Sequence, residues 1–201
     1  MKFWVKRIVD FIFALLGLVI LIPSFALIAI VINQDSKGGI IYKQVRVGLN
    51  RRNFKVWKFR TMYTMSDKVL NLTVGNNDLR ITKVGLWLRK YKLDELPQLV
   101  NVLVGDMSFV GPRPEVVKYV DLYSEEQLQV LSMKPGITDL ASIRYRNENE
   151  LLASVEDPEN YYINVLMPEK LNLNLFYIRN QSLLLDIKLI IKTIIFIFVK
   201  S

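Results

Sequence analysis

Between Phe11 and Ile32 the chain runs for 22 residues without a charge, and Ser24 is the only hydroxyl among them. As a helix rising about 1.5 Å per residue, this run would be roughly 33 Å long, enough to cross a hydrocarbon layer. Pro23 sits at its middle. Proline lacks an amide donor and crowds the preceding turn, so the run is expected either to span with a kink or to break, dip in and return. Ser24 could satisfy a backbone group freed at such a break. Lys2, Lys6 and Arg7 precede the run, and eight Lys or Arg with no acid follow it between Ser36 and Ser66. Short basic flanks stay cytoplasmic. A simple span would export one flank and a re-entrant helix neither, and the pattern alone leaves both open. A cleaved leader is not expected, because Asn33-Gln34-Asp35 stands where a small-x-small site would be.

Beyond the membrane helix the periodicity changes. Ile40 to Val47 and Phe54 to Phe59 read as strands around a turn at Gly48-Leu49-Asn50, which makes a basic β-hairpin. Asn71 to Asp78 reads as a polar loop. Leu96, Leu99, Val100 and Leu103 follow a helical repeat and predict a helix over Asp94 to Val104. Asp94 would be its N-cap, Pro97 would lie in the first turn and Gly105 would end it. Gly111-Pro112-Arg113-Pro114 is a stiff turn. Ser124-Glu125-Glu126-Gln127 has the form of a capping box opening another helix, closed by Pro135-Gly136. Leu183 to Val199 is apolar but interrupted by Asp186, Lys188 and Lys192, so it predicts an amphipathic helix on a surface. The expected fold is α+β and mainly helical. A membrane helix occupies 1–35, and a domain over 36–201 ends in the amphipathic helix 183–199.

Composition then narrows the chemistry. The 201 residues include 27 Lys+Arg and 19 Asp+Glu, a net charge of +8, with no His and no Cys. Disulfides, thiol nucleophiles, Cys/His zinc sites and imidazole bases are excluded. Chemistry must use carboxylates, Lys or Arg, hydroxyls, backbone groups or a hard metal on oxygen ligands.

Three segments carry candidate chemistry. Asp94-Glu95 follows a stretch, Arg80 to Lys92, with five basic residues and no acid. Two carboxylates beside cations suit a metal-bound phosphate substrate, although an N-cap followed by a first-turn Glu looks the same. Arg113 between two prolines is held for bidentate phosphate contact, or is an exposed Arg in a rigid loop. Lys58 and Arg60 would share one face of a strand with Phe59 on the other, which also describes a charged edge strand. No P-loop, G-x-G-x-x-G or nucleophile elbow occurs.

Together these segments are more specific than any alone. Gln44-Val45-Arg46-Val47-Gly48, Phe54 to Met62, Leu93-Asp94-Glu95-Leu96-Pro97-Gln98-Leu99, Asn101-Val102-Leu103, Gly105-Asp106-Met107-Ser108, Val110-Gly111-Pro112-Arg113-Pro114 and Lys134-Pro135-Gly136-Ile137-Thr138 occur in the order seen in one family. The chain resembles the bacterial sugar transferases called monotopic (small-type) phosphoglycosyl transferases, over nearly its whole length.

The resemblance implies transfer of a phospho-sugar from a UDP-sugar to polyprenol (undecaprenyl) phosphate, with release of UMP, as a first membrane step of glycan synthesis. It implies Mg²⁺ as cofactor and a covalent phospho-sugar on Asp94. Glu95 matches the metal ligand, and Met62 a position acting through its backbone carbonyl. Lys58, Arg89 and Arg113 match substrate or phosphate contacts, and Arg144, Arg146 and Asn147 lie near an expected Arg-Asn. It implies a re-entrant first helix broken near Pro23 and Ser24. The catalytic domain is then expected on the cytoplasmic face of the bacterial inner membrane. The expected partners are the UDP-sugar, the polyprenol phosphate and membrane lipid, with a homodimer as an open assembly and no nucleic acid.

Two segments depart from the family pattern. Ile22-Pro23 replaces the frequent Ser-Pro, with Ser24 following. Asp139, Ser142 and Tyr145 occupy a stretch where many members read Gly, Gln and Gly. Two rival readings stand beside the transferase. One is a membrane-anchored basic module that binds anionic lipid without catalysis, which gives no reason for Asp94-Glu95 in basic surroundings. The other is a transferase that attacks directly, with Asp94 as base.

Overall fold

A computed structural model describes residues 3–64 and 78–198. The loop expected over Asn71 to Asp78 lies outside the described residues except for Asp78. The long apolar run folds as α1, Phe3–Asp35, a single helix of 33 residues with Pro23 inside it. Pro23 and Ser24, where a break is expected, both carry helical backbone. The apolar turns on both sides have no better use for their backbone groups than helical hydrogen bonds, so one missing donor does not end the helix. Only 11% of its most apolar stretch, with a mean hydropathy of 3.0, is buried. Ala14, Ile28 and Ile32 face the rest of the chain, while Leu16, Val19, Ile20, Ile22, Leu27 and Ile30 are exposed. A core helix would be covered, and this one turns hydrocarbon outward as lipid contact requires.

Both polar ends of α1 are tied to the domain that follows. Lys6 forms a 2.5 Å ion pair with Asp186. The Arg7 guanidinium donates to Val102 O at 2.6 Å and Leu103 O at 2.7 Å. At the far end, the Asp35 carboxylate accepts from Val84 N at 3.1 Å, and Arg60 donates to Ser36 O and Lys37 O.

The alternation after Gly39 builds strands β1 (Ile41–Val47) and β2 (Asn53–Phe59), paired antiparallel from Ile41↔Phe59 to Val47↔Asn53. Asn50 and Arg51 take positive φ in the tight connection. Phe59 packs with Ile28 and Ile32 of α1 and with Leu88 of α2 (Lys83–Lys90). A short antiparallel bridge, Met62↔Ile81, joins the chain after β2 to the approach to α2. Gly85 is required there, because a Cβ would stand 2.2 Å from Thr61 O.

The helix predicted from Asp94 is two elements. Leu93–Glu95 is a single 3₁₀ turn entered through Lys92 in the left-handed region, and α3 is Gln98–Val104. Asp94 is therefore not the N-cap of α3, and Pro97 occupies that position instead of the first turn. Proline cannot donate an amide to a preceding helical turn, so the chain restarts its helix after it. Gly105, at φ 96°, ends α3. The buried Asn101 side chain accepts from Trp57 N at 2.9 Å and donates to Lys55 O at 2.8 Å, so α3 docks along β2.

The remainder is short elements: β3 (Ser108–Val110), α4 (Val117–Val120), β4 (Gly136–Thr138), α5 (Leu140–Arg144), α6 (Glu148–Ala153) and α7 (Pro158–Tyr161). Strands β3 and β4 pair in parallel. The Ser124–Gln127 capping box forms, but it opens a 3₁₀ segment over Gln127–Ser132. A π-turn, Tyr162–Leu166, leads into α8 (Met167–Arg179), which supplies Met167, Leu171 and Leu175 to the largest core cluster. The last element, α9 (Leu183–Phe198), buries Asp186 and Leu189 and exposes Leu184, Ile187, Ile191, Ile194 and Ile195.

Candidate active site

A cleft of about 1290 Å³ opens between the hairpin, the 3₁₀ turn at Asp94, the Pro112–Pro114 loop, α5, α8 and α9. Among its lining residues are Lys58, Met62, Arg89, Asp94, Glu95 and Arg113. These come from four separate stretches of sequence, so convergence here is a tertiary result.

Glu95 is the charged centre. Lys58 Nζ lies 3.0 Å from its Oε1. Arg113 Nη1 donates to Oε2 at 3.2 Å, and Arg113 Nη2 makes a close contact with Oε1. Burial opposes a charge on Glu95, but Arg113 and then Lys58 outweigh it and hold the carboxyl well below its ordinary range. Burial lowers the Lys58 ammonium against the pull of Glu95. The Glu95 carboxylate raises the Arg113 guanidinium further, against burial.

Asp94 is different. Only 7% of its surface is exposed, and its Oδ1 has no hydrogen-bond partner among the described residues. Burial pushes its carboxyl above the ordinary value, and the neighbouring Glu95 charge adds to this. The 3₁₀ turn places two consecutive carboxyls in the cleft, one fully bound by cations and one with a bare oxygen. An unpartnered buried carboxylate oxygen is costly unless something arrives to use it.

The cationic wall is held from behind. Arg89, at the end of α2, donates Nε to Thr61 Oγ1 at 2.9 Å. Arg113 N donates to Asp139 Oδ2 at 3.2 Å, and Asp139 Oδ1 caps α5 through Ser142 N at 2.6 Å. Glu115 accepts from Arg46 at 2.9 Å and from the Tyr162 hydroxyl, which ties the loop carrying Arg113 to the hairpin and the π-turn. Thr61 and Glu115 are not singled out by the sequence, and Asp139 is marked there only as a departure from the family pattern. Their partners lie between 26 and 69 residues away, and no local pattern marks them. Arg60, expected beside Lys58, turns instead to the carbonyls after α1. Arg146 and Asn147 line the cleft, whereas Arg144 is exposed at the end of α5 and is not among its lining residues.

Metal binding can be judged from the donors. Among the described residues no three acidic side chains converge. The oxygens on offer are Asp94 Oδ1, the lone pairs of Glu95 that Lys58 and Arg113 leave, and backbone carbonyls. Thr61 O and Tyr63 N make the hydrogen bonds of the Met62↔Ile81 bridge, which leaves the Met62 carbonyl outside them. Mg²⁺ commonly takes one or two carboxylates and completes its shell with water and substrate phosphates, so this sparse set fits such an ion held jointly with a diphosphate.

A carboxylate pair with three surrounding cations thus lies in one cleft of a chain whose first helix exposes a long apolar surface. The family model for bacterial sugar transferases matches residues 1–200, and the chain belongs to that family. It is 42% identical over 195 residues to a UDP-glucose:undecaprenyl-phosphate glucose-1-phosphate transferase of Klebsiella pneumoniae, covering 94% of this chain and 39% of that protein. The transferase of the same description in Escherichia coli K12 is 37% identical over 193 residues, with the same two coverages. An exopolysaccharide production protein, ExoY, of Rhizobium meliloti is 34% identical over 204 residues, covering 94% of this chain and 83% of that protein. The chain thus spans about two fifths of the length of the first two relatives.

Proposed function

We propose that this protein transfers a sugar 1-phosphate from a UDP-sugar to a polyprenol phosphate such as undecaprenyl phosphate, releasing UMP. One observation carries the reading: the bare Oδ1 of Asp94 beside a Glu95 whose charge is met by Lys58 and Arg113. In the first step Asp94 Oδ1 forms a bond to the sugar-bearing phosphorus, and the bond from that phosphorus to the UMP oxygen breaks. In the second, a lipid phosphate oxygen attacks the same phosphorus and the Asp94–phosphorus bond breaks. Arg89 and Arg113 offset the phosphate charge that would repel an anionic nucleophile. Mg²⁺, held by Glu95 and the Met62 carbonyl, would neutralise further diphosphate charge. The raised Asp94 pKa reflects a poorly solvated carboxylate, which is a better nucleophile once ionised.

The acceptor is a lipid, and the exposed apolar sides of α1 and α9 suit a protein seated in one leaflet. Both ends of α1 bond to one domain, which favours a re-entrant helix with the domain on the cytoplasmic face of the inner membrane. The chain has no cysteine of its own, so single cysteines introduced at residues 1–5 and 35–40 report this topology directly. Labelling of both from the cytoplasmic side supports re-entry, and labelling of one from outside makes α1 a span.

The reaction is tested with UDP-glucose and undecaprenyl phosphate. The expected result is UMP release that EDTA abolishes and Mg²⁺ restores. Without acceptor, a peptide containing Asp94 should gain the mass of a hexose phosphate. Turnover with no trapped adduct would make Asp94 a base for direct attack. Binding of anionic lipid without any nucleotide release would leave only a basic membrane module.

A further inference from the structure

The Asp94 oxygen has a counterpart elsewhere in the cleft. Among the described residues, four buried side-chain atoms lack hydrogen-bond partners: Arg60 Nε, Asp94 Oδ1, Ser108 Oγ and Asn174 Oδ1. Two of these are oxygens of cleft-lining residues, Asp94 and Asn174. Asn174 lies mid-way along α8, is 4% exposed, and stands between the apolar Leu171 and Leu175 of the core. A buried amide carbonyl with no donor is destabilising, so an apolar residue would serve the core better at this position. Retaining an amide there makes sense if a ligand supplies the missing donor.

Other polar residues that line the cleft on α5, α6 and α8 indicate what the ligand is. Ser142 of α5 and the Glu148–Lys170 pair are among these, and Lys170 Nζ is 2.9 Å from Glu148 Oε2. The set mixes donors and acceptors and carries no net charge, since Lys170 and Glu148 cancel. That suits a neutral, hydroxyl-rich group and contrasts with the cationic wall at Glu95, which suits phosphate. The Tyr162 ring, which lines the cleft, does not offer a free stacking platform for a base. Tyr162 is 3% exposed, packs against Tyr119 at 4.9 Å between ring centroids, and gives its hydroxyl to Glu115.

We infer that Asn174, with Ser142 and the Glu148–Lys170 pair, forms the subsite that reads the hydroxyls of the donor's sugar. Asn174 Oδ1 accepts a hydrogen bond from one of them. The inference rests on the nucleotide-sugar reading of the cleft. It adds that discrimination between hexoses resides on α5 and α8, remote in sequence from the Asp94 turn. Of the three positions that depart from the family pattern, Ser142 and Tyr145 line the cleft, and Asp139 caps the α5 helix that carries Ser142.

The test is equilibrium binding of UMP, UDP-glucose and UDP-N-acetylgalactosamine to the full chain and to Asn174→Leu, with thermal melting of both. Leucine keeps the volume and removes the unpartnered carbonyl, so the melting temperature should hold or rise. UMP affinity should not change. Affinity for at least one of the two UDP-sugars should fall about tenfold, the scale of a lost hydrogen bond that leaves a sugar hydroxyl unmet. A second variant, Ser142→Ala, should shift the ratio of the two UDP-sugar affinities and leave UMP untouched. Equal loss of UMP and UDP-sugars from Asn174→Leu would move the subsite to the nucleotide and overturn the inference. A lower melting temperature with unchanged affinities would make Asn174 structural and overturn it as well. If the unaltered chain bound neither UMP nor any UDP-sugar, the nucleotide-sugar reading itself would fail first.

Discussion

Two buried charge clusters in this protein use the same residue types to opposite ends. At the start of α1, Lys6 meets Asp186 at 2.5 Å, and the Tyr177 hydroxyl donates to the other Asp186 oxygen at 2.6 Å. Both carboxylate oxygens are used, and Asp186 and Tyr177 are 4% and 0% exposed. At the cleft, Glu95 is bound as completely by Lys58 and Arg113, but the adjacent Asp94 keeps a bare oxygen. A closed cluster can only hold elements together. In the proposed reaction, a cluster with one unmet acceptor beside bound cations receives the incoming electrophile. Burial and charge are nearly the same in the two, so hydrogen-bond completeness distinguishes structure from chemistry here.

The largest expected effect comes from removing the bare oxygen. Asp94→Asn should lower UMP release by about a thousandfold or more, because the amide is no nucleophile. Its melting temperature should hold or rise, since a buried unmatched charge is lost. A melting temperature that fell with activity retained would place Asp94 with the structural cluster and erase the contrast.

The converse substitution is Asp186→Ala. It strands Lys6 and the Tyr177 hydroxyl and should destabilise the fold by about 3 kcal/mol, read by denaturant unfolding in detergent. The folded fraction should keep its UMP release within about twofold. A smaller effect is expected from Arg113→Lys, which keeps the charge but loses the two-pronged grip on Glu95. Turnover should fall about 30-fold with little change in melting temperature.

The smallest effect is in pH dependence, and the two cleft carboxyls have opposite signs. Asp94 has a raised folded pKa. The folded state therefore takes up its proton before the unfolded chain does, and stability rises as pH falls through that raised value. Glu95 has a lowered one. Its contribution is complete above the ordinary carboxylate range and is lost only as pH falls toward the folded value. Melting temperature measured against pH should show a rise on mild acidification that Asp94→Asn abolishes. Activity should fall over the same range, because protonated Asp94 cannot attack.

Parts of this were readable from local pattern alone. The membrane helix needed only an uninterrupted apolar run, the hairpin only an alternation on either side of Gly48, and α9 only apolar residues spaced by Asp186, Lys188 and Lys192. Lys58, Glu95 and Arg113 were legible as candidates because each sat in a segment with a bland and a chemical explanation. Asp139, Glu115, Asn101 and Asn174 were not. Each acts through partners or a cavity far away in sequence, and a single Asp, Glu or Asn carries no mark of that. The start of α3 was misplaced by the sequence for a local reason. Asp-Glu before an apolar helical repeat looks like an N-cap, and Pro97, which moves the helix start to Gln98, also fits a first turn.

What the sequence determined by itself was the set of elements and the exclusion of thiol and imidazole chemistry, since both follow from residue type and short-range spacing. What only the tertiary structure decided was which carboxylate is neutralised and which is left open. That depends on Lys58 and Arg113 reaching Glu95 across 37 and 18 residues, and on neither giving Asp94 Oδ1 a hydrogen bond. Electrostatics and hydrogen bonding act over a few ångströms of space, whatever the separation along the chain.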